Sequence, residues 1–379
     1  MMMTRRERLM ATLQGKAVDR PAVSFYEIGG WRMDLNDDEF TVWNDPSWRP
    51  LVKLAHEKTD IIRMVEAGWQ GGLNNGLSDL VTRESRREGD SRFTHTTIRA
   101  PGRTLTSLTR QDKDVQTVWT LEHLLKTIED VEAYLRLPEP TIGEVDVSDI
   151  LAEERDLGDA GIVSIEFGDP ICSVAGLFSM ENYTVIALTE PPLFHRLLER
   201  FARALFPRCE QVARACPDRL WRICGSEYAS EPFLPPRLYE EYVVRYTGHM
   251  VRMVQKHGGY PRIHSHGRLR GILPLIAKMK PDGLDPLEPP PQGDMDLWEI
   301  REAIGRDTVL MGNIEVSDIE NLSTAAFEER VAAALREGAG GEGRGFILHP
   351  SSCPYGRVIS ARTMANYETM IRLAEKWAG

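Results

Sequence analysis

Short apolar runs bounded by turn residues recur along this chain, and most are followed by stretches with a helical spacing of apolar positions. The runs that read as strands are Ala22–Glu27, Asp60–Val65, Gly161–Phe167, Arg219–Gly225, Tyr260–Ser265, Gly283–Pro286, Thr308–Asn313 and Gly345–Pro350. Helical periodicity marks Pro236–His257, Leu269–Met279, Thr324–Glu337 and Ser360–Trp377, with apolar side chains returning every three to four residues. Strand alternating with helix predicts an α/β protein with a parallel sheet, and eight such units favour a closed (β/α)8 TIM barrel over an open sheet. Residues 80–118 break the alternation with a charged run and Ala100-Pro101-Gly102-Arg103 between residues of β type. They predict an antiparallel hairpin inserted after the second strand, a solvated element on the rim. Residues 1–379 otherwise read as a single barrel domain. Pro281, Pro286 and Pro289–Pro291 keep the sixth strand short, because proline cannot donate to a ladder. The Gly-rich stretch Glu337–Gly345 lacks the Lys-Ser/Thr of a phosphate loop and precedes a strand, so it reads as a flexible turn.

Charge narrows the partners. Lys and Arg number 46 against 57 Asp and Glu, a net charge of −11, which argues against a surface built to neutralise a nucleic-acid backbone. No run approaches the apolar length of a membrane span, and Met1–Lys16 lacks the apolar core of a signal peptide, so the expected location is cytoplasmic. Five cysteines in a long chain do not form a disulfide framework. Cys172, Cys209, Cys216 and Cys224 lie in apolar surroundings and read as inert packing. Cys353 differs, because it follows the last strand in His349-Pro350-Ser351-Ser352-Cys353-Pro354, where a loop begins.

In a parallel barrel, reactive groups gather at the carboxyl ends of the strands. The fifth strand ends in His264-Ser265-His266-Gly267. Alternate strand residues share a face, so His264 and His266 can point together into the mouth. The eighth strand leads into Cys353 and the fourth ends beside Glu227. Two imidazoles, a thiolate and a carboxylate satisfy a four-coordinate Zn2+ with one labile position. His349 is the next donor should Cys353 turn away. Glu166 and Asp169 end the third strand. Glu166 is a candidate for orienting substrate or shuttling a proton. Asp169 precedes Pro170 and is expected to cap a helix. Tyr26, Trp31, Trp69, Phe167, Tyr228 and Tyr355 all follow strand ends and predict an aromatic-lined, substrate-binding mouth.

The chain resembles the uroporphyrinogen decarboxylase superfamily. The resemblance is carried by Thr4-Arg5-Arg6-Glu7-Arg8, Leu13-Gln14-Gly15-Lys16 and Val18-Asp19-Arg20-Pro21 at the start, and by the inserted hairpin. Gly225-Ser226-Glu227-Tyr228, Leu310-Met311-Gly312-Asn313-Ile314 and Gly345-Phe346-Ile347-Leu348-His349-Pro350-Ser351 carry it through the rest of the chain. It covers nearly the whole sequence and implies a (β/α)8 barrel. The metal-free decarboxylases of that superfamily bind a polycarboxylate through an Arg-Gln-Ala-Gly-Arg segment after the first strand. Here Tyr26-Glu27-Ile28-Gly29-Gly30-Trp31 stands there, and Glu27 would repel carboxylates. The chain is more similar to the corrinoid-dependent methyltransferase branch, whose His-x-Cys-Gly after the fifth strand and second cysteine after the eighth bind zinc. His264-Ser265-His266-Gly267 and Cys353 match that pattern, with His266 in place of the first cysteine.

The resemblance therefore implies a zinc-dependent methyltransferase or demethylase that moves a methyl group between a small O-, N- or S-methylated substrate and a corrinoid protein or thiol. The aromatic residues at the strand ends favour an aromatic methyl ether over a methylated amine as that substrate. His264, His266, Cys353 and Glu227 are the implied metal set. The corrinoid is expected on a partner protein, and a homodimer is compatible with the reading. Alternatives are a metal-free decarboxylase acting on a smaller acid and a non-catalytic ligand-binding barrel.

Overall fold

The structure, a computed structural model, describes residues 2–32, 39–70, 72 and 76–377. Its central sheet is parallel and 8-stranded. The strands are β1 (Ala22–Val23), β2 (Ile61–Val65), β3 (Gly161–Gly168), β4 (Leu220–Cys224), β5 (Tyr260–His264), β6 (Gly283–Asp285), β7 (Val309–Ile314) and β8 (Phe346–Pro350). They are ordered β1-β8-β7-β6-β5-β4-β3-β2. At the seam between β1 and β2, the Asp60 N–H donates to the Val23 carbonyl at 2.7 Å. The Asp60 carboxylate in turn accepts the Val23 N–H at 2.9 Å. The result is a (β/α)8 barrel, with every predicted strand in place and ends shifted by a few residues at most. β1 shows the largest trim: its ladder stops at Val23, although Ser24 still donates to Leu348 at 3.0 Å.

The strands are apolar because both faces are covered. Outward side chains meet the helices in one continuous core. Inward side chains at the amino ends, including Ile62, Ile162, Leu220, Val309 and Ile347, pack on Leu9 and Leu13. The helix Arg5–Leu13 thus plugs the floor, and its Thr4–Glu7 capping box fixes where it starts. Along β3, β4, β5, β6 and β8, the inward position two residues further towards the carboxyl end becomes polar, while β2 and β7 carry Met64 and Met311 there. Ser164, Glu166, Arg222, Arg262, His264, Asp285 and His349 are all buried or nearly so. That change from apolar floor to polar mouth positions the site.

The predicted antiparallel hairpin is present as Val81–Glu88 and Ser91–Ala100. It continues through Arg103–Asp112 and Val118–Glu122 into a four-stranded sheet. Leu105 reaches the core while the first strand stays exposed after Val81, which is why that segment is so charged. Among the described residues, no helix is long and apolar enough to cross a membrane.

Candidate active site

The mouth is built around a buried charge network. Arg222 donates to Glu166 at 2.7 Å and to the Tyr26 hydroxyl at 2.6 Å. Asp285 lies between Arg262, at 3.7 Å, and His264, whose Nδ1 is 2.8 Å from its carboxylate. Burial alone would raise the Asp285 carboxyl, but Arg262 and His264 hold it far below its usual range. Burial, aided by Arg222, depresses His264 to about 3, so its imidazole is neutral at physiological pH. The neutral ring donates Nδ1–H to Asp285 and keeps Nε2 as a lone-pair nitrogen.

His266 repeats the arrangement one step nearer solvent. Its Nδ1 lies 2.8 Å from Glu288, whose second oxygen accepts the Gly267 N–H at 2.6 Å. Burial works against the His266 charge, yet Glu288 raises its pKa on balance. The two rings stand edge to face with centroids 4.5 Å apart. The alternation expected from the strand-end sequence therefore brings them together.

Other expected donors are placed as follows. Glu227 and Glu27 are both close enough to His266 to feel its charge, and burial pushes both carboxyls up. Cys353 turns its thiol and backbone N–H to the Glu27 carboxylate, and burial and Glu27 hold the thiol well above its usual range. His349 is buried against Tyr26, with ring centroids 4.7 Å apart, and its Nδ1 has no hydrogen-bond partner. Burial depresses this histidine also to about 3.

Zinc is the metal the resemblance implies, and the donor chemistry fits it. A ligating imidazole commonly hands its second nitrogen to a carboxylate, as His264 and His266 both do. Among the described residues, however, no three histidine, cysteine, aspartate or glutamate side chains are gathered as a group that would hold an ion. The pair of histidines is in place; Cys353 is directed to Glu27.

The expected aromatic wall is distributed over several surfaces. Tyr26 alone lies between the histidines, stacked on His264 at 6.1 Å, and its φ of +56° is a costly backbone state of the kind concentrated at functional sites. Trp69 and Phe167 line a cavity of about 150 Å³ shared with Glu166. Trp31 lines another beside Met64 and Glu153. Tyr228 packs on Tyr183, and Tyr355 is exposed. Asp169 caps its helix as expected, accepting the Cys172 N–H at 2.8 Å.

Arg222, Arg262, Asp285 and Glu288 complete the mouth without having been singled out as functional from sequence, and Glu27 was noted there only as repelling carboxylates. The available signal was period-two alternation: Arg262 precedes His264 by two, and Asp285 ends its strand. Cys172 and Cys224, expected to be inert, lie near each other where β3 and β4 end, and Cys224 together with burial holds the Cys172 thiol above its usual range.

The uroporphyrinogen decarboxylase family model matches residues 166–376, more than half of the chain. The chain belongs to the uroporphyrinogen decarboxylase family. No curated protein sequence matches it. Among solved structures it is similar to a methyltransferase from Methanosarcina mazei, at 13% identity over 98% of this chain and 99% of that one, with a TM-score of 0.56. It also matches a B12-independent methionine synthase from Shewanella sp. W3-18-1 in complex with selenomethionine, at 12% identity over 79% of this chain and 76% of that one, with a TM-score of 0.40. At such identities the first likeness shows a shared fold. Within the uroporphyrinogen decarboxylase family, then, the chemistry has to be argued from the mouth itself.

Proposed function

We propose that this protein is a methyltransferase that demethylates a small O-, N- or S-methylated substrate and passes the methyl group to a corrinoid carried by a partner protein. The observation that carries the reading is the pair of facing histidines at the end of β5, each held by its own carboxylate. His264 and His266 would hold Zn2+, with Cys353 and Glu227 as further donors. The metal would supply Lewis acidity to the substrate heteroatom, making it a better leaving group. Asp285 and Glu288 fix the two rings and keep each Nε2 available. Where Glu227 is not a ligand, its carboxyl, raised by burial, would instead return a proton to the departing heteroatom. Tyr26 fills the space between His264 and His349 and excludes water from the floor of the site.

The electrostatics bear on the substrate. Arg222 and Arg262 are already matched by Glu166 and Asp285, so neither offers a free grip for a carboxylate. Above them stand Glu27, Glu227 and Glu288. That balance supports a methylated amine over an aromatic methyl ether and disfavours decarboxylation of a small acid.

The test is metal analysis of the purified chain, followed by incubation with reduced corrinoid and a panel of methylated amines, ethers and thiols. The expected result is about one zinc per chain and methyl-corrinoid formation, with amines the best donors. His266→Ala should lose both metal and turnover. A metal-free protein that releases CO2 from a small acid would replace this reading with the decarboxylase.

A further inference from the structure

The opposite end of the barrel holds a cavity of about 450 Å³, formed by the loop before β1, the Gly-rich segment before β8, Arg301 and Trp377. It is far from the strand ends that carry the histidines. Its charged walls are Lys16, Asp19, Arg20, Arg301 and Arg344. Three of these are matched locally. Asp19 pairs with Arg8 at 2.7 Å, Arg20 with Asp60 at 2.8 Å and Arg344 with Asp282 at 2.6 Å.

Two cations are left over. Arg301 donates only to carbonyls, those of Gly305 at 3.0 Å, Gly345 at 3.1 Å and Gly338. Burial lowers its pKa to about 10, which leaves it charged at neutral pH. Its charge meets no carboxylate. Lys16 is exposed and has no ion-pair partner among the described residues. The loop's own acids do not correct this. Glu337 accepts the Trp298 N–H, and neither Glu337 nor Glu342 lines the cavity.

The loop is shaped around the guanidinium. A Cβ on Gly343 would come within 2.2 Å of Arg301 Nη1, so a side chain there would push the guanidinium out of its present place. Gly341 takes a φ of +72°, and the N–H groups of Gly341, Glu342 and Gly343 make no hydrogen bond among the described residues. Unbonded amides of Gly341 and Gly343 beside uncompensated cations favour an anion. Trp377 adds one flat apolar wall.

We propose that this cavity is a second binding site, separate from the mouth, for a small phosphate-bearing anion. Its phosphoryl oxygens would meet the Lys16 ammonium, the Arg301 charge and the free amides of Gly341 and Gly343. An unphosphorylated end would lie against Trp377. The Gly-rich segment then has a ligand-binding role in addition to making a turn.

The experiment is calorimetric titration of the full chain with inorganic pyrophosphate, with sodium chloride at matched ionic strength as the control. Saturable binding to the wild type is expected. Lys16→Glu reverses an exposed charge without touching the core and should weaken binding by about fivefold or more. Arg301→Gln should weaken it further if it folds; Lys16→Glu decides the matter if it does not. His266→Ala should bind pyrophosphate as the wild type does. The proposal is overturned by absence of binding, by a Lys16→Glu effect smaller than about fivefold, or by loss of binding in His266→Ala, which would move the anion to the mouth.

Discussion

At the scale of single residues, one carboxyl reports what burial does in this barrel. Asp169 is fully buried, accepts the Cys172 N–H and the Thr247 hydroxyl at 2.8 Å each, and is raised by burial to about 7. Its unfolded value is about 3.9. A raised folded pKa means that the native state holds the proton more tightly. The stabilisation this gives is fully present below about pH 4 and is lost as pH rises through about 7. Asn caps a helix as well as Asp does and cannot ionise. Asp169→Asn should therefore gain stability on the wild type by roughly 1–3 kcal/mol between pH 5 and pH 8, read from urea unfolding across that range. A constant difference across the range would mean that Asp169 does not titrate there. The candidate site was legible at this scale where chemistry coincided with period two, as at His264 and His266. It was less so where a partner came from another strand. Nothing local marks Glu288, in a proline-rich loop, as the residue that would hold His266, nor Glu27 as the residue that Cys353 would face.

Among elements, the seam between β1 and β2 is the place where the barrel depends on a side chain. β1 forms only two ladder positions, both with β8, so closure on its other edge falls to Asp60. Its carboxylate accepts from Arg8 at 2.5 Å, Arg20 at 2.8 Å and the Val23 N–H at 2.9 Å. Asp60→Ala would leave a buried amide without its acceptor and remove the counter-charge of two guanidiniums. Breaking a buried pair from one side costs about 3–5 kcal/mol, although Asp19 still holds Arg8 and softens the loss. Chemical denaturation should show a loss of that order, and one under about 1 kcal/mol would mean that the seam closes without Asp60. The eight strands were legible because a doubly covered parallel strand must be apolar throughout. The strand ends were less so, because the same apolar character carries into the turns, as after Val23. The inserted sheet was visible by its charge and its Pro-Gly turn. Its later strands were not, since Val118–Glu122 is short and exposed and has no apolar face to give it a pattern.

Over the whole molecule, the question is whether the inserted sheet and the barrel form one cooperative unit. The sheet lies outside the barrel ladder and bonds to none of its strands. Two kinds of tie nevertheless join it to the rest. Leu105 is buried in the same apolar core as Val65, Leu125 and Val131. Arg103 pairs with Asp130 on the helix Ile128–Leu135, and Lys126 donates to the Thr106 carbonyl at 2.8 Å. Arg103 is itself exposed although Asp130 is buried, and a pair with one exposed partner contributes little, about 0–1 kcal/mol, so the coupling must rest mainly on Leu105 and its neighbours. A four-stranded antiparallel sheet whose outer strands are exposed and whose inner strands are mostly only half-buried cannot bury enough apolar surface to stand alone. It should therefore unfold with the barrel, giving a single calorimetric transition whose measured and van't Hoff enthalpies agree. Leu105→Ala should remove part of that anchor, at a cost of about 2–5 kcal/mol, and should split off a low-temperature transition if the sheet is held chiefly by this side chain. Two separate transitions in the unmodified chain would instead show that the sheet is stable independently, and that the chain is divided into two units.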